Sequence, residues 1–174
     1  MVALRFFKGR PWIDDSTSSL IKLWEIRDGE TYADALQRAF DAYPSGFVLL
    51  EHDIAVSASD LVKFYNIADG VLHGSHVLVA NYELYEHSPI GLISHSAHRV
   101  IVDGRPIWLE NHATADYFGF GMIYIPSHVW KLFYHEMPFA DYPTLDSVFS
   151  DWLHKKTGQT AFVCPGITAI HLHY

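Results

Sequence analysis

The stretch Phe47-Val-Leu-Leu-Glu51-His-Asp53-Ile predicts a buried strand that runs directly into two carboxylates. Side chains alternate faces along an extended chain, so Glu51 and Asp53 are expected to project to the same side. Two carboxylates in this position form a hard-oxygen site of the kind that Mg²⁺ and Mn²⁺ prefer. Because open α/β sheets bind ligands at the carboxyl ends of their strands, the same stretch also predicts a ligand site.

Amphipathic helices are predicted on both sides of this strand. Thr31, with an acidic residue three positions later, is typical of a helix N-terminus, and apolar residues follow at helical spacing as far as Tyr43. Ser57 or Ser59 begins a second helix, which Gly70 ends. Further strands are predicted at Val2–Phe7, Leu20–Ile26, His76–Tyr82, Tyr117–Ile125, Thr160–Val163 and Ile167–Tyr174.

The second half of the chain adds a hairpin and a well-patterned helix. In Arg99–Trp108 the central Asp103-Gly104 suits a tight two-residue turn, and Pro106 places the second arm at an edge. Thr144 is predicted to cap a helix that Gly158 ends. A strand–helix–strand opening followed by hairpins predicts one α/β domain over residues 1–174, with a mixed sheet.

Composition limits the classes of function. The 174 residues are 49% hydrophobic, which is enough for a core, and the formal charge is −8 without a basic stripe. Direct electrostatic capture of nucleic acid is therefore not expected. The single cysteine, Cys164, excludes an internal disulfide framework and thiolate zinc clusters. The N-terminal segment does not have the pattern of a signal peptide, and no apolar run reaches membrane-spanning length, so we expect a soluble cytoplasmic protein without a membrane span.

The elements around the acidic triplet resemble the core of the GT-A glycosyltransferases. The resemblance is carried by helix Thr31–Tyr43, turn Ser45-Gly46, strand Phe47–Leu50 and the triplet Glu51-His52-Asp53, and in order of elements it extends from Thr31 to Tyr174. That family carries an Asp-x-Asp motif, or an acidic variant, which holds a divalent cation against the diphosphate of a nucleotide-sugar. The resemblance implies that Asp53 binds Mn²⁺ or Mg²⁺ directly, and that Glu51 contacts the metal or the donor's ribose or sugar. Glu51 departs from the motif's first Asp, and the nucleotide-binding section before it is short.

Two further positions match the same family. His171 and His173 share one face of the predicted last strand, and many GT-A enzymes supply a histidine near the end of the domain as a metal ligand. The resemblance implies His171 first and His173 second, and the alternative is a pair of edge-strand histidines. Asp146, in the first turn after Thr144, matches the family's catalytic base, although acidic residues also favour helix N-termini through the helix dipole alone.

The segment Phe118-Gly119-Phe120-Gly121 leaves two positions without side chains. Gly119 and Gly121 are candidates for close approach of the donor or acceptor, and the alternative is that they leave space for a neighbouring element. Trp108, Tyr117, Phe118 and Trp130 are candidates to stack on a sugar ring, although a place in the core is favoured for Trp130.

These features together predict a metal-dependent glycosyltransferase, of hexosyltransferase type, that moves a sugar from a UDP- or GDP-sugar to a hydroxyl acceptor. One alternative is another divalent-metal-dependent enzyme, a hydrolase or a nucleotidyltransferase, using the same carboxylates. The other is a carbohydrate-binding protein without catalysis. A phosphate-binding P-loop, a dinucleotide-binding glycine turn and a nucleophile elbow are all missing from the sequence. An acidic, aromatic-rich surface is compatible with a homo-oligomer.

Overall fold

A mixed β-sheet with helices on both faces forms the frame of the protein. The computed structural model describes residues 1–15, 18–71, 75–108 and 113–172. The strands are β1 Ala3–Phe7, β2 Ile21–Glu25, β3 Val48–Glu51, β4 Ile54–Val56, β5 Leu78–Asn81, β6 Glu83–Ser88, β7 Gly91–Ser96, β8 Arg99–Val102, β9 Arg105–Trp108, β10 Thr114–Ala115, β11 Met122–Tyr124 and β12 Ala161–His171. The α-helices are α1 Tyr32–Ala42, α2 Ala58–Asn66, α3 Ser127–Glu136 and α4 Leu145–Thr157, and a π-helical turn, Ile67–Val71, follows α2. None of the helices in the described ranges combines the length and the apolarity needed to cross a membrane.

The strand order places the carboxyl ends of several strands at one edge of the sheet. The order is β10-β12-β5-β11-β3-β1-β2, with β4 paired to β12. β1 is parallel to β2 and β3, β12 is parallel to β5, and β11 runs antiparallel between β3 and β5. The carboxyl ends of β1, β2, β3, β5 and β12 therefore lie at the same edge as the amino end of β11. The predicted α/β class with a mixed sheet is confirmed.

Alternation along the central strands separates two apolar cores. Leu49 packs in the core that contains α1, α3 and α4, whereas its neighbours Val48 and Leu50 pack in the core that contains α2. A period of two along β3 thus directs successive side chains into different layers. Tyr32 and Leu145, the first residues of α1 and α4, line one cavity together with Glu51 at the end of β3, so both helices begin at this edge of the sheet.

The predicted helix signals are confirmed except at Gly70 and Thr144. Gly70 does not end the second helix, because α2 ends at Asn66 and the π-helical turn continues through Gly70 to Val71. The Thr31 side chain accepts a hydrogen bond from the Asp34 N–H at 3.0 Å, and Ser57 does the same for Asp60 at 3.1 Å. Gly158 adopts the left-handed conformation that ends α4, with φ +68°. The prediction that Thr144 caps this helix is wrong: its backbone is not extended, and its hydroxyl donates instead to the Asp141 carbonyl at 3.4 Å.

The hairpin at Arg99–Trp108 is confirmed, with positive φ at both Asp103 and Gly104. The second hairpin, β6–β7, and the short strand β4 were not predicted. The strand predicted over Tyr117–Ile125 is confined to β11. The two predicted C-terminal strands are one strand, β12, whose pairing shifts register between Cys164 and Thr168. Gly166, with φ +66°, lies inside this irregular stretch and allows the chain to continue along the sheet.

A buried arginine ties three distant segments together. Arg5, in the middle of β1, is 1% exposed and forms an ion pair with Asp15. Its Nη1 donates to the carbonyl oxygens of Glu51 at 2.8 Å and Ile54 at 2.7 Å. These two carbonyls bracket the His52-Asp53 turn. A charge at this depth is stable only when its donors are satisfied, so Arg5 fixes the path of the chain through the acidic turn.

We predict that Arg5→Met lowers the free energy of unfolding by about 3–5 kcal/mol, since it leaves Asp15 and two carbonyls buried without their partner. Equilibrium urea unfolding measures the change. Lys155→Met is the control, because it removes the solvent-exposed pair with Asp151 and should leave the midpoint unchanged. Equal midpoints for the two variants would contradict a structural role for Arg5.

Candidate functional site

The acidic residues lie in a turn at the carboxyl edge of the sheet. β3 ends at Glu51, the chain turns at His52-Asp53, and β4 begins at Ile54. The expectation that Glu51 and Asp53 project to the same side of one extended strand is therefore wrong, because the strand ends at Glu51, two residues before Asp53. The turn nevertheless keeps both carboxylates at one place. Asp53 is buried there, with 5% of its surface exposed.

Backbone pairing brings His171 to Asp53. β12 pairs with β4 so that His171 lies opposite Ile54, and the Leu172 N–H donates to the Asp53 carbonyl at 2.9 Å. His171 Nε2 lies 3.2 Å from Asp53 Oδ2. The His171 ring also stacks on Tyr82, with centroids 6.2 Å apart. The predicted proximity of these two candidate ligands is present, while His173 lies outside the described residues.

A cleft of two adjoining lobes opens beside this pair. The large lobe has a volume of about 700 Å³ and is lined by Trp12, Lys8 and Asp53 among others. The small lobe, of about 190 Å³, contains Gly119 and Asp146. Four residues line both lobes and so mark their junction: Tyr32, Glu51, Tyr142 and His171.

Asp146 reaches the cleft from the first turn of α4. Burial raises the pKa of Asp146, although hydrogen bonds from Ser147, including one from its backbone N–H at 2.7 Å, act in the opposite direction. The other two nearby carboxylates have different surroundings. Asp141 accepts a hydrogen bond from the Tyr32 N–H at 2.9 Å, and Asp151 is paired with Lys155 on the surface. Asp146 therefore lines the cleft, whereas Asp151 lies on the surface.

The carboxylates of the cleft repel one another. Burial raises the pKa of Glu51 to about 8, and the negative charges of Asp53 and Asp146 add to the shift. Among the residues that the structure describes, no Lys or Arg lines the small lobe. Negative charge that is concentrated and partly desolvated in this way favours binding of a cation.

Two buried oxygen atoms at the cleft make no hydrogen bond within the described part of the protein. They are Asp53 Oδ1 and the hydroxyl oxygen of Tyr32. A buried polar atom without a partner is unfavourable in a folded protein, and such atoms often serve a ligand. Both atoms belong to residues that line the large lobe.

The donor set fits a divalent cation that shares its coordination with a substrate. Within the described residues, no group of three or more His, Cys, Asp or Glu side chains is placed to hold a metal unaided. Mg²⁺ commonly binds through one or two carboxylates plus substrate phosphates and water. Neighbouring ligands of an octahedral ion, at about 2.1 Å, lie about 3.0 Å apart, close to the 3.2 Å between Asp53 Oδ2 and His171 Nε2. Asp53 and His171 can therefore supply two positions, and Glu51 lies beside them.

The two glycines make room for a tyrosine. A Cβ atom at Gly119 would lie 2.3 Å from the Tyr82 hydroxyl, and one at Gly121 would lie 2.5 Å from Tyr82 Cζ. The Tyr82 hydroxyl also accepts a hydrogen bond from the Gly121 N–H at 3.1 Å. The space that the Tyr82 side chain needs thus explains both glycines. Binding of a nucleotide-sugar by Gly119 and Gly121 stays a prediction. The His98 ring lies edge-on to the Tyr82 ring. Burial lowers the pKa of His98 to about 4, so His98 carries no charge near neutral pH.

The four aromatic candidates from the sequence are not among the residues that line either lobe of the cleft. Phe118 and Trp130 are core residues, as was expected for Trp130. The Trp108 ring stacks on His95, at 3.8 Å between centroids, and lies under the Arg99 guanidinium. Cys164 is buried, and this burial raises the pKa of its thiol to about 12.

Several residues of the site were not predicted. Trp12, Tyr32, Tyr82 and Lys8 line the cleft, but their sequence neighbourhoods contain no motif that indicates this. Arg5 did leave a signal, because a charged residue inside an apolar strand is rarely buried without a partner. The sequence could not identify that partner as the acidic turn.

Comparison with known proteins supports the fold. No protein-family model matches this sequence, and no curated protein matches it at a significant level. In structure the chain is similar to A197 from STIV, which is one of 22 solved chains that match. The similarity covers 100% of this chain and 87% of that chain, with a TM-score of 0.54 and 13% sequence identity. A likeness at this identity shows a common fold, so function has to be argued from the site.

We predict that Gly119→Ala destabilises the protein by about 1–3 kcal/mol, because the new methyl group overlaps the Tyr82 hydroxyl. In a Tyr82→Phe background the nearest ring atom is Cζ, 3.5 Å from the new Cβ, so the cost should fall below roughly 1 kcal/mol. Gly121→Ala is the matched control, because Cζ and Cε1 remain at 2.5 and 2.7 Å without the hydroxyl. Urea unfolding measures this double-mutant cycle, and equal rescue of both glycine variants would contradict the packing explanation.

We predict that Glu51→Gln stabilises the ligand-free protein at alkaline pH. The folded-state pKa of Glu51 is about 8 and its ordinary value is 4.5, so between these values the unfolded chain releases a proton that the folded protein keeps. Unfolding is therefore favoured as pH rises. The free energy of unfolding of Glu51→Gln, taken relative to wild type, should increase by about 2–4 kcal/mol from pH 4.5 to 8 and then level off.

Glu30→Gln is the control for this measurement. Its hydrogen bond with Arg38 lowers the pKa of Glu30, so its stabilising effect is already complete above pH 4.5. The difference between Glu30→Gln and wild type should stay constant over the same range. Urea unfolding with a chelator present measures both series, and a Glu51→Gln difference that is flat from pH 4.5 to 8 would contradict a raised pKa of Glu51 in the folded protein.

Proposed function

We propose that this chain is a metal-dependent glycosyltransferase of the GT-A type, transferring a sugar from a nucleotide-sugar to a hydroxyl acceptor. The observation that carries the proposal is the convergence of Asp53, His171 and Asp146 on one cleft at the carboxyl edge of a mixed sheet. These residues lie far apart in the sequence. Each matches a different part of the same reaction in the family that the sequence resembles.

The large lobe has the size and lining for a nucleotide. A volume of about 700 Å³ lies within the range of small-molecule sites. Trp12 is 57% exposed, with its ring edge-on to His52 at 5.3 Å between centroids, so it offers an aromatic surface to a base. Lys8 provides a cation for phosphate oxygens. A divalent ion held by Asp53 and His171 would supply charge neutralisation for the diphosphate and for the departing nucleotide.

The small lobe has the features of an acceptor site. Asp146 lines it, and the raised pKa of that carboxyl increases its basicity. In an inverting transfer the Asp146 carboxylate takes the proton of the acceptor hydroxyl as that oxygen attacks the anomeric carbon. The bond from the anomeric carbon to the diphosphate oxygen breaks, and its electron pair leaves with the nucleotide. Two adjoining lobes suit two substrates, which favours transfer over hydrolysis.

We expect UDP or GDP, alone or as a UDP- or GDP-hexose, to raise the melting temperature only when Mn²⁺ is present. At a ligand concentration of about 100 Kd the rise should be about 5–10 °C for a chain of this length. Asp53→Asn should lose the rise, because it removes a carboxylate ligand. Asp151→Asn is the control, since its carboxylate is paired with Lys155 away from the cleft and the rise should persist. A thermal-shift screen measures all three proteins.

The same screen separates the alternatives. No response of the wild type to any nucleotide, with Mn²⁺ binding intact, would contradict the proposal and favour a metal-dependent hydrolase. Glycan binding that is insensitive to chelator and to Asp53→Asn would instead favour a carbohydrate-binding protein. Release of sugar to water alone would not identify a transferase, so an Mn²⁺-dependent response is followed by assay of transfer to a defined acceptor.

A further inference from the structure

The Tyr32 side chain is held rigidly at the junction of the two lobes. Tyr32 is the first residue of α1, and its N–H donates to Asp141 at 2.9 Å. Its ring lies against Phe6 of β1, with centroids 5.6 Å apart. These contacts fix the helix end and the ring, so the hydroxyl is directed by packing and not by a hydrogen bond of its own.

The hydroxyl is a donor that the described residues leave without a partner. Burial raises the pKa of Tyr32 well above its ordinary range, and the negative charges of Glu51, Asp53 and Asp146 act in the same direction. The phenol therefore keeps its proton at any working pH and serves as a hydrogen-bond donor, not as a base. A buried donor of this kind gains most from a ligand that brings an acceptor oxygen.

The position of Tyr32 indicates which part of a substrate it meets. It lines both lobes, as do Glu51 and His171. In the proposed function the diphosphate lies at Asp53 and His171, and the acceptor lies at Asp146. The group that has to span the junction between them is the sugar that is transferred.

We infer that the Tyr32 hydroxyl recognises the sugar of the donor, by donating a hydrogen bond to a hydroxyl oxygen of the hexosyl group at the junction of the two lobes. This inference rests on the proposed function, because it takes the diphosphate and acceptor positions from it. It assigns Tyr32 to sugar recognition, whereas the nucleotide is bound by other groups in the large lobe. Tyr32 therefore separates binding of a nucleotide-sugar from binding of the nucleotide alone.

Tyr32→Phe tests the inference, because it removes one oxygen atom and retains the ring that packs on Phe6. Isothermal titration with Mn²⁺ gives Kd for UDP and GDP and for a panel of UDP- and GDP-hexoses. Tyr32→Phe should bind the nucleoside diphosphate within about twofold of wild type and the corresponding nucleotide-hexose about tenfold more weakly. Tyr65→Phe is the matched control: its hydroxyl donates to the Leu20 carbonyl at 3.3 Å, outside the cleft, so both Kd values should be unchanged.

The outcomes distinguish this inference from the proposal beneath it. Parallel weakening of nucleotide and nucleotide-hexose in Tyr32→Phe, or no weakening of either, would overturn the role in sugar recognition while leaving the transferase proposal standing. A wild-type protein that binds no nucleotide in the presence of Mn²⁺ would overturn both. Selective loss of the nucleotide-hexose, with Tyr65→Phe unaffected, supports the inference.

Discussion

The buried guanidinium of Arg5 is the interaction on which the site depends. It lies in the sheet interior, is neutralised by Asp15, and donates to the two carbonyls that bracket the acidic turn. Backbone carbonyls at the end of a strand otherwise have to find partners in solvent or in the next element. Arg5 donates hydrogen bonds to these carbonyls from the interior of the sheet, and the turn can therefore direct its carboxylates toward the cleft. The buried cation of Arg5 thus positions the carboxylates at the end of the neighbouring strand, β3.

The cleft concentrates negative charge at a cost in the stability of the folded protein. Burial, with the negative charges of Asp53 and Asp146 adding to it, raises the pKa of Glu51 to about 8. A core built only for stability would replace such a cluster with apolar side chains of similar volume. Sites that bind charged ligands commonly retain this repulsion, since the ligand relieves it on binding. Asp53 Oδ1 and the Tyr32 hydroxyl are buried without a hydrogen-bond partner among the described residues, which is a further cost to stability at the same cleft.

The candidate site could be predicted in part because its chemistry is concentrated in short segments. Glu51 and Asp53 follow an apolar strand, Asp146 follows a helix start, and His171 lies near the chain end; all four line one cleft. The explanation for Gly119 could not be predicted, because the side chain that needs its space, Tyr82, belongs to another strand. The hairpin β6–β7 was also missed, since the apolar residues of β7, Leu92 and Ile93, are exposed and do not follow the alternation of a half-buried strand.

The sequence by itself determined the local structure and the inventory of reactive groups. Periods of 3.6 and 2 residues, the caps Thr31 and Ser57, and the Asp103-Gly104 turn act over a few residues, so they can be recognised without knowing the fold. Only the tertiary structure decided which groups meet. The register of β12 against β4 brings His171 to Asp53 across more than one hundred residues of chain, and the sheet order brings α1 and α4 to the same edge. Such long-range pairing depends on the packing of the whole core, which no short segment of sequence encodes.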